Sequence, residues 1–137
     1  MSLQLVRRDR EGVAIFDLIG RLVVGPAATQ FRDAVEQSIA RGESRIILNL
    51  SRIEYVDSTG LGALVLCFTK AKKAGGGLKL VGLQKRDLEL LVLTKLTTVF
   101  DVYTDEDDAF NSFFPEREIQ RFDILAFVKS HRDDDDY

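Results

Sequence analysis

The sequence is poor in the residue types that most often carry chemistry. Its 137 residues include one cysteine, one histidine and no tryptophan. The single cysteine, Cys67, excludes an internal disulfide, and the N-terminus lacks a signal-peptide pattern, so we expect a reduced, cytoplasmic protein. One cysteine, one histidine and carboxylates grouped in polar runs provide no spacing suited to a metal site, and no cofactor is expected.

Long apolar runs and a basic face are also missing. No apolar run approaches the roughly 20 residues that span a bilayer, so no membrane association is expected. The formal net charge is -3, and the terminal "RDDDDY" (132–137), with one arginine and four aspartates, supplies all of it. The rest of the chain is neutral overall, which argues against direct binding of nucleic acid.

Hydrophobic periodicity predicts a single α/β domain over residues 1–114, with a central mixed β-sheet and helices packed on it. Two short apolar runs, 3–7 and 13–19, flank the turn-forming "DREG" and indicate a hairpin. The run "RIILNL" (45–50) is apolar on both alternating faces, apart from Asn49, and predicts a buried central strand. Further strands are expected at 78–83 and 99–103, and helices after Pro26, after Ser58, over 85–96 and over 105–114.

The end of the chain differs in composition from this domain. The pattern of residues 115–130, a C-terminal extension, predicts either an amphipathic helix or a short added strand, "FDILAFV". We favour the helix. Dimerisation through this extension is left open. Residues 131–137 are predicted to be an acidic, disordered tail because like charges in a block repel one another.

One junction holds an unusual concentration of small and polar residues. The stretch "YVDSTGLGAL" (55–64) places an acid, two hydroxyls and two glycines between an apolar run and a helical pattern. A nucleophile elbow would need glycine two positions before Ser58, where Val56 stands. The only histidine, His131, adjoins the acidic tail, and "GLGALV" lacks the third glycine of a dinucleotide fingerprint. An enzyme is therefore not expected.

A purely structural account of this junction is available. Ser58 could cap the helix, Thr59 could fill its first turn, and Gly60 and Gly62 could allow close packing of helix on strand. Two glycines in the first turns nevertheless cost about 1 kcal/mol each relative to alanine. The small residues would also leave the Ser58 hydroxyl open to another protein's active site, with backbone N–H groups nearby to receive a phosphate.

The stretch "NLSRIEYVDSTGLGALV", followed by "GGGLKLVGL" and "LTKLTTVFDVY", resembles the STAS domain of the bacterial anti-sigma factor antagonists, also called anti-anti-sigma factors. The resemblance covers residues 3–113 and rests mainly on D-S-[ST]-G-L-G between a strand and a helix. It implies the STAS fold and a binding module that has no catalytic residues of its own.

The resemblance also implies a phosphorylation switch. Ser58 would accept phosphate from a partner that is both an anti-sigma factor and a serine kinase. The unphosphorylated form would bind that kinase and free a sigma factor, and a metal-dependent serine phosphatase would restore it. Asp57 would lie beside the acceptor, and the surrounding contact surface would consist of Thr59, Gly60, Leu61 and Gly62.

The sequence departs from the family before the first helix. Many members have G-E-L-D where this chain has Gly20, Arg21, Leu22 and Val23, so two acids near the switch are lost and the choice of partner is open. A non-enzymatic STAS adaptor or scaffold in another bacterial signalling pathway is the alternative function.

Overall fold

The computed structural model describes residues 3–115, 124, 125, 127 and 128. The first of these ranges contains five strands, which form one sheet, and four helices. In chain order they are β1 (Gln4–Arg10), β2 (Val13–Leu22), α1 (Pro26–Ala40), β3 (Arg45–Val56), α2 (Ser58–Lys73), β4 (Gly77–Val81), α3 (Lys85–Leu93), β5 (Asp101–Tyr103) and α4 (Glu106–Asn111).

The predicted hairpin is formed by β1 and β2, which pair antiparallel with Arg10 opposite Val13. Its two-residue turn is Glu11–Gly12, and both residues have positive φ, 45° and 85°. A turn with two left-handed residues matches the twist of the flanking strands, which explains the glycine at the second position.

The five strands lie in chain order, and β2 to β5 are all parallel. Because each right-handed crossover then advances in the same direction, α1, α2 and α3 all fall on one face of the sheet. The main hydrophobic core lies between that face and these helices, and includes Phe31, Leu48 and Leu64. The predicted mixed α/β sheet is confirmed.

The central strand is longer than its apolar run indicated. The prediction ended at Leu50, whereas β3 continues to Val56 and pairs there with the end of β2. Asn49, the polar residue in its middle, donates from Nδ2 to Asp17 Oδ1 at 2.9 Å. The extension brings the strand directly to Asp57, so the unusual junction is a one-residue connection between β3 and α2.

The other face of the sheet is covered at one end by α4. Ala109 and Phe110 of this helix pack on Val13, Ile15 and Ile47 in a second, smaller core. Arg8 and Arg10 of the hairpin form ion pairs with Glu106. Towards the carboxyl ends of β2 and β3, no described helix lies over this face, because all three crossover helices are on the opposite side.

Part of the C-terminal extension is described. Ile124 is buried in the main core, and Phe127 and Val128 pack against that core. The described residues 124, 125, 127 and 128 are helical. The rest of the predicted helix over 115–130, the proposed dimer contact and the tail at 131–137 lie outside the described residues.

Candidate functional site

The site lies at the carboxyl edge of the sheet, where two strand-to-helix connections meet. The backbone N–H of Asp57, which follows β3, donates to the carbonyl of Leu22 at the end of β2. The Asp57 side chain then bonds across to the connection between β2 and α1, where Val24 N donates to Oδ2 at 2.9 Å. One aspartate therefore holds the two connections together.

Asp57 also caps α2. Its Oδ1 accepts a hydrogen bond from Gly60 N at 2.8 Å, and its backbone is extended, as is typical of an N-cap residue. Backbone donors to both carboxylate oxygens, that of Val24 first and that of Gly60 second, hold the pKa of Asp57 below its usual range. The carboxylate is therefore ionised at neutral pH, and each of its oxygens accepts one backbone hydrogen bond.

Ser58 is the first residue of α2 rather than its cap, and its side chain is exposed. The capping role that sequence reasoning allowed for Ser58 belongs to Asp57. Thr59 and Gly62 are also exposed, and nothing lies within 4 Å of the position that a Cβ of Gly62 would occupy. The Ser58 hydroxyl is thus presented on an open, small-residue surface.

Gly60 and Leu61 have a different environment. Both are buried, and a Cβ added to Gly60 would overlap the backbone carbonyl of Leu22. Glycine at this position is therefore required for the close approach of α2 to β2. Leu61 directs its side chain into the main core. Of the six predicted contact residues, these two shape and anchor the turn beneath the surface.

Sequence reasoning missed three exposed apolar side chains around this edge. Val24 is 66% exposed, Tyr55 is 48% exposed, and Leu66 is partly exposed one helical turn after Gly62. The Arg21 guanidinium lies over the Tyr55 ring, with Cζ 5.5 Å from the ring centre. Exposed apolar residues are individually common. Val24 is bonded to Asp57 through its backbone, Tyr55 lies three positions before Ser58, and Leu66 lies about two helical turns after it.

Within the described ranges there is no group of three or more histidine, cysteine, aspartate or glutamate side chains able to hold a metal ion. The helices formed by the described residues are too short or too polar to cross a bilayer.

The family model for the STAS domain matches residues 4–109. The chain belongs to the STAS family. This match spans all nine secondary-structure elements apart from the last two residues of α4, and it includes the connection at Asp57 and Ser58.

Two curated relatives of this STAS domain are anti-sigma-B factor antagonists. The one from Bacillus subtilis is 43% identical over 53 residues, which is 39% of this chain and 49% of the relative. The one from Listeria monocytogenes is 25% identical over 108 residues, which is 79% of this chain and 93% of the relative. The STAS domain is thus related to anti-sigma factor antagonists.

Solved structures show the same fold. A Thermotoga maritima protein described as a candidate anti-sigma factor antagonist matches with a TM-score of 0.75 at 24% identity, over 80% of this chain and 93% of that one. The Bacillus cell-fate determinant SpoIIAA in its phosphorylated form matches with a TM-score of 0.63 at 21% identity, over 81% and 98% of the two chains. The STAS fold with a five-stranded mixed sheet is confirmed.

Proposed function

We propose that this STAS protein is an anti-sigma factor antagonist whose binding is switched by phosphorylation of Ser58. Unphosphorylated, it binds an anti-sigma factor with serine-kinase activity and so frees a sigma factor in the cytoplasm. Phosphorylated, it releases that partner until a metal-dependent serine phosphatase removes the phosphate. The observation that carries the proposal is the exposed Ser58 hydroxyl at the first position of α2, directly after a capping aspartate.

The surroundings of Ser58 suit recognition by a second protein. Thr59 and Gly62 are exposed and small, and Val24 and Tyr55 add apolar surface on either side of the connection at Asp57. Leu66 adds a further exposed apolar side chain about two helical turns after Ser58. Gly60 and Leu61 contribute by holding the turn against β2 and the core. An apolar patch rimmed by polar groups is a common form of protein-binding site.

A phosphate at Ser58 would alter the fold very little. The start of a helix favours a negative charge by about 0.3 to 1 kcal/mol. The ionised Asp57 opposes it, by about 3 kcal/mol at a separation of about 6 Å and an effective dielectric constant near 20, before salt screening reduces that figure. The two effects become comparable after screening, so the folded state tolerates the modification.

The effect on binding is expected to be larger. A charge buried at an interface without a partner costs about 2 to 5 kcal/mol. That cost corresponds to a loss of about 30-fold to several thousandfold in affinity, which is enough for a switch. The switch therefore acts at the interface and leaves the STAS fold unchanged.

The test is a kinase assay with candidate anti-sigma kinases encoded near the gene, read by intact mass and paired with a binding titration. We expect Ser58→Ala to fold and bind but gain no phosphate, and Ser58→Asp to fold and bind weakly. Thr59→Ala is the matched control, because it removes the neighbouring exposed hydroxyl and should still gain one phosphate. Phosphate on Ser58→Ala, or tight binding by Ser58→Asp, contradicts the proposal.

A second arm tests the class of protein. The purified chain is incubated with ATP and Mg²⁺ and no other protein. We expect no phosphate on the chain and no turnover of nucleotide, because a binding module supplies only the acceptor hydroxyl. Autophosphorylation or ATP hydrolysis at a catalytic rate would place the chain among enzymes instead.

A further inference from the structure

The uncovered part of the sheet face holds a groove separate from Ser58. It has a volume of about 390 Å³ and is lined by residues of β1, β2 and β3, among them Val6, Arg8, Asp17, Ile19, Asn49 and Arg52. The groove exists because the three crossover helices lie on the opposite face and α4 covers only the other end. Its floor combines apolar side chains with charged ones.

The charged side chains around the groove differ in how many hydrogen bonds they form with other side chains. Arg8 donates to both carboxylate oxygens of Asp17, at 2.7 and 3.0 Å, and also to Glu106. Asp17 further accepts from Asn49, and its pKa is lowered mainly by the bond from Arg8. These hydrogen bonds hold Arg8 and Asp17 to each other, so neither side chain is available to form an ion pair with a bound molecule.

Two other arginines remain available. Arg52 is exposed and lies opposite Ile19 across the β2–β3 pairing, near enough to Asp17 to help lower its pKa. Arg21 is exposed, and its guanidinium lies over the ring of Tyr55, its partner in the same pairing, with Cζ 5.5 Å from the ring centre. Among the residues that the structure describes, no carboxylate hydrogen-bonds to Arg21 or to Arg52.

These two arginines and Tyr55 form a strip along the ends of β2 and β3, beside the groove. Arg52 pairs with Ile19 and Tyr55 pairs with Arg21, so the two β3 residues lie two β2 positions apart, about 7 Å. The planar guanidinium fork of arginine is preorganised, so less conformational entropy is lost for each hydrogen bond that it forms with a carboxylate. Arginine and tyrosine are also enriched where proteins bind one another.

We infer that the groove and its Arg21–Tyr55–Arg52 strip bind an acidic segment of a partner protein. The charge complementarity identifies the occupant: the Arg21 and Arg52 guanidinium groups, to which no carboxylate of the described residues hydrogen-bonds, favour the carboxylates of a partner. Val6 and Ile19, which line the groove, accommodate its apolar side chains. Two cations on a body that is neutral overall, with both of them counted, are too few for the phosphate contacts of a nucleic-acid interface. This site goes beyond the proposed function, because it does not use Ser58 and shares only Tyr55 with the surface proposed around that residue.

The test uses the full chain, labelled with ¹⁵N, and follows amide chemical shifts by NMR. The probe is a ten-residue peptide of alternating glutamate and leucine, and the control replaces glutamate with lysine. We expect the acidic peptide to shift the amides of residues 19–21 and 52–55, to bind more weakly as salt is raised, and to bind Ser58→Ala equally well. The lysine peptide should leave those amides unmoved.

Charge-reversal variants make the test specific. The double variant Arg21→Glu with Arg52→Glu should lower the affinity for the acidic peptide about tenfold or more. The matched control, Arg32→Glu with Lys73→Glu, changes the net charge equally at exposed helical positions and should bind like the unmodified protein. If the charge-reversed variant has a lower melting temperature than the unmodified protein, Arg21→Gln with Arg52→Gln replaces it in the test. This variant removes the two charges without reversing them, so it should weaken binding of the acidic peptide to a smaller degree.

Four results would overturn the inference. They are unchanged affinity in the reversed variant, peptide-induced shifts confined to other regions, and tighter binding of a single-stranded oligonucleotide at the same amides. The fourth concerns truncation after residue 130: if truncation itself moves these amides and only the truncated chain binds the peptide, the chain's own acidic end is the occupant. Failure of phosphorylation at Ser58 would count against the proposed function and leave this inference standing.

Discussion

The Oδ2 atom of Asp57 lies 2.9 Å from the backbone nitrogen of Val24, a residue 33 positions earlier in the chain. The other carboxylate oxygen caps α2 through Gly60. A single side chain thus ties the start of α2, which carries Ser58, to the connection before α1. Substitutions at Asp57 should therefore affect both the stability of the helix start and the position of Val24 on the surface.

Asp57→Ala should lower the free energy of unfolding by about 1 to 2 kcal/mol, because it removes the cap and leaves Val24 N without its acceptor. Asp57→Asn should lose less, since an amide oxygen can still accept one of the two bonds. Urea denaturation followed by circular dichroism measures both. Equal stability of the alanine variant and the unmodified chain would show that water replaces these bonds without cost.

The same carboxylate predicts a pH dependence. Hydrogen bonds from Val24 N and Gly60 N lower the pKa of Asp57 in the folded state, whereas the pKa of an aspartate in the unfolded chain is about 3.9. The stabilisation is complete above the unfolded pKa and is lost as the pH falls through the folded pKa. The difference in stability between the unmodified chain and Asp57→Asn should therefore be constant from pH 6 to 8 and shrink towards pH 3. A difference that grows on acidification contradicts this assignment.

The two glycines of the junction should respond in opposite directions to alanine. Gly60→Ala places a methyl group against the Leu22 carbonyl and should destabilise the protein by about 1 to 3 kcal/mol. Gly62→Ala meets open space within a helix and should stabilise it by up to about 1 kcal/mol. Thermal unfolding of both variants measures these effects, and each variant is the control for the other. A loss of stability in Gly62→Ala would mean that its surroundings are more crowded than the structure shows.

The end of β3 is held on its β4 side by two side chains. Pairing with β4 stops at Asn49, and beyond it Ile53 O accepts from Gln84 Nε2 at 3.0 Å and from Arg86 Nη2 at 2.8 Å. Gln84→Ala with Arg86→Ala should cost about 1 to 3 kcal/mol and speed amide exchange near residues 51–56. Lys73→Ala, at an exposed position, is the control. Unchanged exchange would show that pairing with β2 alone fixes this strand.

Cys67 should be inert in the folded protein. It is fully buried in the main core, and burial raises the pKa of its thiol to about 12. Little thiolate is therefore present at pH 8, and the side chain is shielded from reagents. Dithionitrobenzoate should react at the rate of unfolding, and rapidly in 6 M guanidinium. Fast reaction without denaturant would indicate frequent opening of α2.

Much of this protein follows from local sequence patterns. Alternation of apolar runs with helical periodicity predicted the α/β sheet, since each element must bury one face against its neighbours. The run at 45–50 identified the central strand because both of its faces are apolar. The residues "DSTGLG" singled out the edge at Ser58, and their concentration was visible without any knowledge of the fold.

Other properties depended on contacts between distant residues. The second half of β3 was missed because Ser51 to Tyr55 are mostly polar, and only pairing with β2 and the bonds from Gln84 and Arg86 keep them extended. Asp57 rather than Ser58 is the cap: its bond from Gly60 is local, but its bond from Val24, 33 positions earlier, forms only in the folded chain. The open sheet face, with Arg21 resting on Tyr55, arises from strand order and right-handed crossovers, which no local pattern encodes.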